Sequence, residues 1–127
     1  MNASGTVRLS LIDNIKQSYN NAVVRFCEET HDQRVRIQGF SKYVILRGER
    51  LPGNTQRICD CIIFLEYKGS LFLVVIELKS RVDHANEIVD KLQNCTNTAI
   101  NIARELNFQG HELKYLPLLF LPFTCEK

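Results

Sequence analysis

Three residues carry the clearest chemical signal in the chain: Asp60, Glu77 and Lys79. Asp60 opens an apolar run that continues through Cys61-Ile62-Ile63-Phe64-Leu65, and Glu77-Leu78-Lys79 closes a second run that begins at Leu71. Between the runs lies Lys68-Gly69, a pair suited to a two-residue hairpin loop. With that loop, Tyr67 faces Ser70, and counting back along both strands sets Asp60 opposite Glu77. A three-residue loop, Lys68-Gly69-Ser70, would slip the register and set Asp60 opposite Leu78 instead. In the first register the two carboxylates have Cβ atoms about 5 Å apart. Lys79, two residues beyond Glu77, joins them on the same face, against Ile62, Phe64, Leu73 and Val75.

Like charges opposed in a sheet are destabilising, and burial makes each harder to keep. Three arrangements relieve the conflict: one carboxylate is protonated, Lys79 neutralises the pair, or a divalent cation sits between them. A salt-bridged Asp60–Lys79–Glu77 cluster would be purely structural. A hard cation such as Mg²⁺ would take carboxylate oxygens and keep several waters. It would then polarise a phosphodiester and supply a nucleophile.

The elements that must hold these residues follow from periodicity. Leu9, Ile12, Ile15, Tyr19, Val23 and Phe26 recur at spacings of three and four residues, which predicts a helix over about 9–29. Tyr43-Val44-Ile45-Leu46 reads as a strand, followed by a loop around Leu51-Pro52-Gly53-Asn54. Ile58–Tyr67 and Leu71–Lys79 form the hairpin, apolar on both faces and so predicted central to a sheet covered on both sides. A second helix over about 84–106 follows, with Asp83 as its N-cap and a stripe of Ala85, Ile88, Leu92, Cys95, Ala99, Ile102 and Leu106. A last apolar strand spans about 114–123. The pattern predicts one α/β (α+β mixed sheet) domain over residues 1–127.

An acidic residue opening one strand of a hairpin, then Glu-x-Lys ending the next, resembles the PD-(D/E)XK nuclease superfamily. Its restriction-endonuclease-like core runs helix-strand-strand-strand-helix-strand, the order read here over nearly the whole chain. Cys59 stands where the family's proline would be. The resemblance implies helices on both sheet faces and a Mg²⁺- or Mn²⁺-dependent hydrolase that cuts DNA phosphodiester bonds as an endonuclease. Asp60, Glu77 and the backbone carbonyl of Leu78 would hold the metal, and Lys79 would orient or help deprotonate the attacking water. A further acid from the first helix is common in the family, and Glu28 or Glu29, at that helix's predicted end, would serve. Gln93 fits the first position of a Gln-x-x-x-Tyr pattern found in some branches, with Asn97 in place of the Tyr. A small core of this kind acts as a homodimer or within a larger nuclease assembly. The alternative is a non-catalytic nucleic-acid-binding or assembly module of the same fold.

Charge placement points the same way. The chain's net charge is only +2, yet residues 33–57 hold Arg34, Arg36, Lys42, Arg47, Arg50 and Arg57 against Glu49 alone. This basic segment runs directly into Asp60, so Arg47, Arg50 and Arg57 are candidate phosphate contacts, arginine forks suiting phosphate oxygens. Ser80, Arg81 and His84 form a second candidate set just after the motif.

Composition excludes other classes. With 45% hydrophobic and 24% charged residues, the chain is globular and not disordered. Its longest apolar run, Leu71 to Ile76, falls well short of the ~18 residues of a membrane span. The start of the chain lacks a signal-peptide pattern, which predicts a soluble cytoplasmic protein. Five cysteines without such a signal read as buried free thiols, and Cys59 and Cys61, two apart in a strand, as neighbours on one face.

Overall fold

The computed structural model describes residues 10–30, 33–53, 58–79, 85–106 and 112–120. The first helix, α1, spans Leu11–Ser18, with Ser10 as its N-cap: the Ser10 hydroxyl accepts from the Asp13 N–H at 3.1 Å. It buries Leu11, Ile12 and Ile15. The helix is much shorter than its apolar spacing predicts. A 3₁₀ turn at Asn20–Ala22 ends it, and the β-branched pair Val23–Val24 forms a short strand, β1. Strands β2 (Cys27–Thr30) and β3 (Gln33–Val35) follow as a separate two-stranded arm. Glu28 and Glu29 therefore lie in a strand, not at a helix end. Val23, placed on the predicted helical stripe, and its neighbour Val24 are better strand than helix formers, because their side chains crowd a helical turn.

Strands β4 (Tyr43–Arg47), β5 (Cys61–Tyr67), β6 (Ser70–Leu78) and β7 (Glu112–Phe120) complete a five-stranded sheet of order β1-β4-β5-β6-β7. Every neighbouring pair is antiparallel except β6 and β7. The parallel pair needs a crossover, and α2 (Ala85–Glu105) provides it. The main elements thus run helix, three strands, helix, strand, as expected, with β1 and the β2–β3 arm inserted after α1.

The hairpin loop is Lys68-Gly69, both at positive φ (49° and 80°), the geometry that a two-residue turn between twisted strands requires. Tyr67 pairs with Ser70, and the register holds back to Cys61 opposite Ile76.

Coverage of the sheet differs from the expectation of helices on both faces. One face carries Val44, Leu46, Ile62, Phe64, Leu73 and Val75, and both helices pack there, through Ile12 and Ile15 of α1 and Cys95, Ala99 and Ile102 of α2. The opposite face carries Ile45, Ile63, Val74 and Ile76, with Cys27 and Val35 of the β2–β3 arm packed against it. Two apolar faces do need two covers, but the second is a strand pair and not a helix.

Candidate functional site

The open end of the β5–β6 hairpin brings the predicted residues together. Glu77 is 1% exposed and points to the helical face of the sheet, beside Leu73 and Val75. Its Oε2 accepts from Lys91 Nζ at 3.2 Å and forms an ion pair with Lys79 Nζ at 3.4 Å. The lysines keep 34% and 24% of their side-chain surface, so both ammonium groups still reach water. Asp60 steps out of the ladder: its N–H donates to the Ile76 carbonyl at 3.0 Å, and Cys61 is paired with that same residue. Two residues against one is the arrangement of a β-bulge, a device that re-aims a side chain. Asp60 Oδ2 consequently accepts from the Leu78 N–H at 2.7 Å and holds the backbone between Glu77 and Lys79.

Charge at Lys79 reflects this company. Burial alone would lower its pKa, but Glu77 and, more weakly, Asp60 favour the ammonium, and the net shift is upward. Both carboxylates therefore act on one lysine. An ammonium held charged stabilises developing negative charge and is a poor proton acceptor at neutral pH. That favours the charge-stabilising part of the role expected of Lys79 over the deprotonating part.

Lys91 is a member of the site that the sequence motif does not include. A signal for it exists: it lies three residues after Ile88 and four before Cys95, so it shares the apolar stripe of α2. A lysine on a core-facing stripe needs a buried acid, and Glu77 is that acid.

The bulge also decides the cysteines. Cys59 and Cys61 do not share a face. Cys59 lies among the helix-side core and is disulfide-bonded to Cys95 of α2, whereas Cys61 lies on the other face and is bonded to Cys27 of β2. The expectation of free thiols is corrected on the same ground. An extra residue at Asp60 reverses the alternation of side chains, and each cysteine meets a partner on its own side. Asp60 is thus flanked by two covalent ties, one to each layer covering the sheet.

Other candidates fall elsewhere. Glu28 sits on the arm, on the far side of the sheet from Glu77, and pairs with Arg34 at 2.9 Å. The helix expected to carry Glu28 and Glu29 towards a metal ends ten residues before Glu28, at Ser18. Arg47 is only 14% exposed and is engaged structurally: it donates to the Glu28 carbonyl and pairs with Glu49 at 3.4 Å. Arg50 is exposed on the 3₁₀ turn Gly48–Arg50. Gln93 is exposed, two residues from Lys91 and hence about 200° around the helix. Arg57, Ser80, Arg81 and His84 lie outside the described residues, as do Asp83 and Cys125.

Gly48 links the basic segment to the site. Its N–H donates to the Asp60 carbonyl at 2.8 Å, and a Cβ there would stand 2.2 Å from the Cys59 carbonyl oxygen. Only glycine permits that approach.

The fit to a hard cation turns on Glu77 Oε1. It is buried and has no hydrogen-bond partner among the described residues. An orphaned carboxylate oxygen carries a desolvation penalty that a ligand would relieve. Glu77, Asp60 and the Leu78 carbonyl are all hard oxygen donors, the set that Mg²⁺ takes while keeping waters. Among the described residues, no group of three His, Cys, Asp or Glu side chains gathers into a metal cage. A cation here would therefore rest on two carboxylates, backbone and water.

No protein-family model, curated protein or solved structure matches the chain. Among the described residues, no helix is long and apolar enough to cross a membrane.

Proposed function

We propose that the chain is a Mg²⁺- or Mn²⁺-dependent nuclease acting on DNA phosphodiester bonds at the open end of the β5–β6 hairpin. The observation that carries this reading is the buried, partly unsatisfied Glu77 carboxylate beside Asp60 and Lys79. Glu77 Oε1, the Asp60 carboxylate and the Leu78 carbonyl would hold the cation. When bound, it supplies a polarised phosphate and an activated water. Lys79, kept as ammonium, would stabilise charge on the phosphate oxygens as the water attacks in line. Lys91 anchors Oε2 and so leaves Oε1 as the free donor. Asp60 fixes Leu78 through its N–H, which keeps the carbonyl donor of that residue in place.

Lys91 also favours a second reading. Two carboxylates and two ammonium groups balance without any metal, so the cluster suits a non-catalytic nucleic-acid-binding module with a structural ion network. Asp60→Asn separates the two. It keeps the shape and an oxygen acceptor for the Leu78 N–H while removing the charge. A nuclease loses cleavage of labelled DNA by about 100-fold or more, the scale of losing a group that stabilises transition-state charge. It also loses the calorimetric signal of Mg²⁺ binding. No Mg²⁺ or Mn²⁺ binding and no cleavage by the natural sequence would leave only the second reading. The two intramolecular disulfides also bear on compartment: such bonds persist in oxidising surroundings, which counts against the cytoplasmic expectation. A homodimer would let two such sites cut both strands, and sedimentation with and without DNA tests it.

A further inference from the structure

The outer edge of the sheet holds a second charged feature. Two cavities, of about 370 and 500 Å³, share Val23, Val24, Arg25 and Phe26 and so form one groove along β1. Lys16 and Arg36 line one part of it and Arg50 lines the other. Lys16, Arg25, Arg36 and Arg50 are exposed, and none has an ion pair among the described residues. Glu28 and Glu49 also line the part that holds Arg50, and each is already engaged, Glu28 by Arg34 and Glu49 by Arg47, which lines that part too. The groove thus carries an excess of positive charge in a chain whose total is +2. At Phe26, which lines both parts, the Arg25 and Arg34 guanidinium groups lie 5.7 and 4.6 Å from the centre of the ring, a cation–π contact that steadies both.

Separated cations along a concave edge match a ligand with repeated, separated anions. Arginine forks match phosphate oxygens. A membrane surface would call for a flat face with apolar residues to insert, and the groove is concave and cationic. The groove is also joined to the carboxylates. Cys27, next to Phe26, is bonded to Cys61, next to Asp60. Gly48, two residues before Arg50, donates to the Asp60 carbonyl.

We infer that this groove is a track for the phosphodiester backbone of a nucleic-acid strand, with Arg25, Arg36, Lys16 and Arg50 as its phosphate contacts. Its role of feeding the strand towards Asp60 and Glu77 rests on the nuclease reading; its existence as a binding surface does not. Arg25, Arg36 and Lys16 lie outside the residues expected to bind nucleic acid, so the track extends the interface beyond Arg50.

The test measures binding of fluorescein-labelled 20-residue oligonucleotides, single-stranded and duplex, by anisotropy in EDTA, where cleavage cannot intervene. The Arg25→Gln/Arg36→Gln double variant should bind about tenfold or more weakly than the natural sequence. Its salt dependence should flatten by about 0.7 in log–log slope for each single-strand phosphate that is no longer neutralised. Lys68→Gln, at the hairpin turn, should bind as the natural sequence does. Equal binding by the double variant overturns the track, as does binding to phosphatidylserine vesicles with none to either oligonucleotide. Cleavage assays keep the two ideas apart. Groove-dependent binding without cleavage retains the track and removes the nuclease reading. Cleavage with binding unchanged in the double variant removes the track alone.

Discussion

At its turn, the β5–β6 hairpin leaves Tyr67, Lys68 and Gly69 in water; at its open end it buries Glu77 between two lysines. One register links the two ends. The turn is held by positive φ at Lys68 and Gly69, by the Lys68 ammonium 5.2 Å from the Tyr67 ring, and by two contacts at its surface, the Glu112 N–H on the Gly69 carbonyl at 3.1 Å and the Phe40 ring edge-on to Tyr67. The open end is held by distant parts of the chain: Lys91 and Cys95 from α2, Cys27 from β2 and Gly48 from the loop after β4. The turn therefore tolerates change, because its side chains stay exposed and its tie to β7 is made by backbone alone. The open end tolerates little, because its charges are satisfied only in one tertiary arrangement.

Removing the covalent ties should have the largest effect. They close separations of 34 and 36 residues, for which the chain-entropy view gives about 4 kcal/mol each. Cys59→Ala/Cys95→Ala should lower the urea midpoint accordingly and loosen Asp60, and the natural sequence should lose stability in reductant. Thiol titration of the unfolded, unreduced chain should find at most one reactive cysteine. Five reactive thiols would break the contrast between a stapled end and a free one.

Glu77→Ala comes next. It removes the acid that Lys79 and Lys91 share, and removing one partner of a buried pair costs about 3 kcal/mol. Glu77→Leu should cost less, since an apolar group of similar volume suits the surrounding wall. The pH dependence has a definite sign. The raised pKa of Lys79 means that its pairing stabilises the fold fully below the ordinary lysine value of 10.5 and fades as pH rises through the higher folded value. The gap between the natural sequence and Glu77→Ala should therefore narrow at strongly alkaline pH, where the Lys79 ammonium is lost. A gap unchanged through that range would mean that Lys79 is not the group responsible.

Gly48→Ala tests the backbone approach that carries no charge at all. The added Cβ would lie 2.2 Å from the Cys59 carbonyl oxygen, so backbone must move, at about 2 kcal/mol by the scale of overpacking. Because Gly48 also donates to the Asp60 carbonyl, Mg²⁺ affinity should fall along with stability. Loss of stability with unchanged affinity would detach the loop after β4 from the site.

The same contrast explains what was legible in the sequence. The hairpin could be read because its turn is local: Lys68-Gly69 sets the loop length, and the register then follows by counting. The count correctly placed Glu77 and Lys79 at the open end, but Asp60 leaves the ladder there and bonds to the Leu78 N–H, so it does not stand opposite Glu77 as the count had it. The bulge at Asp60 could not be read, because it arises where the strand is pulled towards both layers at once. With it went the facing of Cys59 and Cys61 and both disulfides. The first helix failed for a different reason. Val23 satisfies helical spacing and strand preference equally well, and the pairing of Val23 and Val24 with Leu46 and Ile45 decides between them. Helix placement failed because an apolar face demands a cover without specifying its kind.

The smallest effect should come from the turn itself, and it is the one that separates the two ends. Gly69 has φ +80° and nothing within 4 Å of an added Cβ, so Gly69→Ala meets no steric neighbour and strains only its own backbone. That strain is about 1 kcal/mol. The register beyond the turn is fixed by burial on both faces, since a one-residue slip would exchange every core side chain between layers. The open end should therefore keep its geometry, and Mg²⁺ affinity and DNA cleavage should match those of the natural sequence while the urea midpoint falls slightly. If affinity falls with stability in this variant as well, the hairpin transmits strain along its length and the two ends are one cooperative unit.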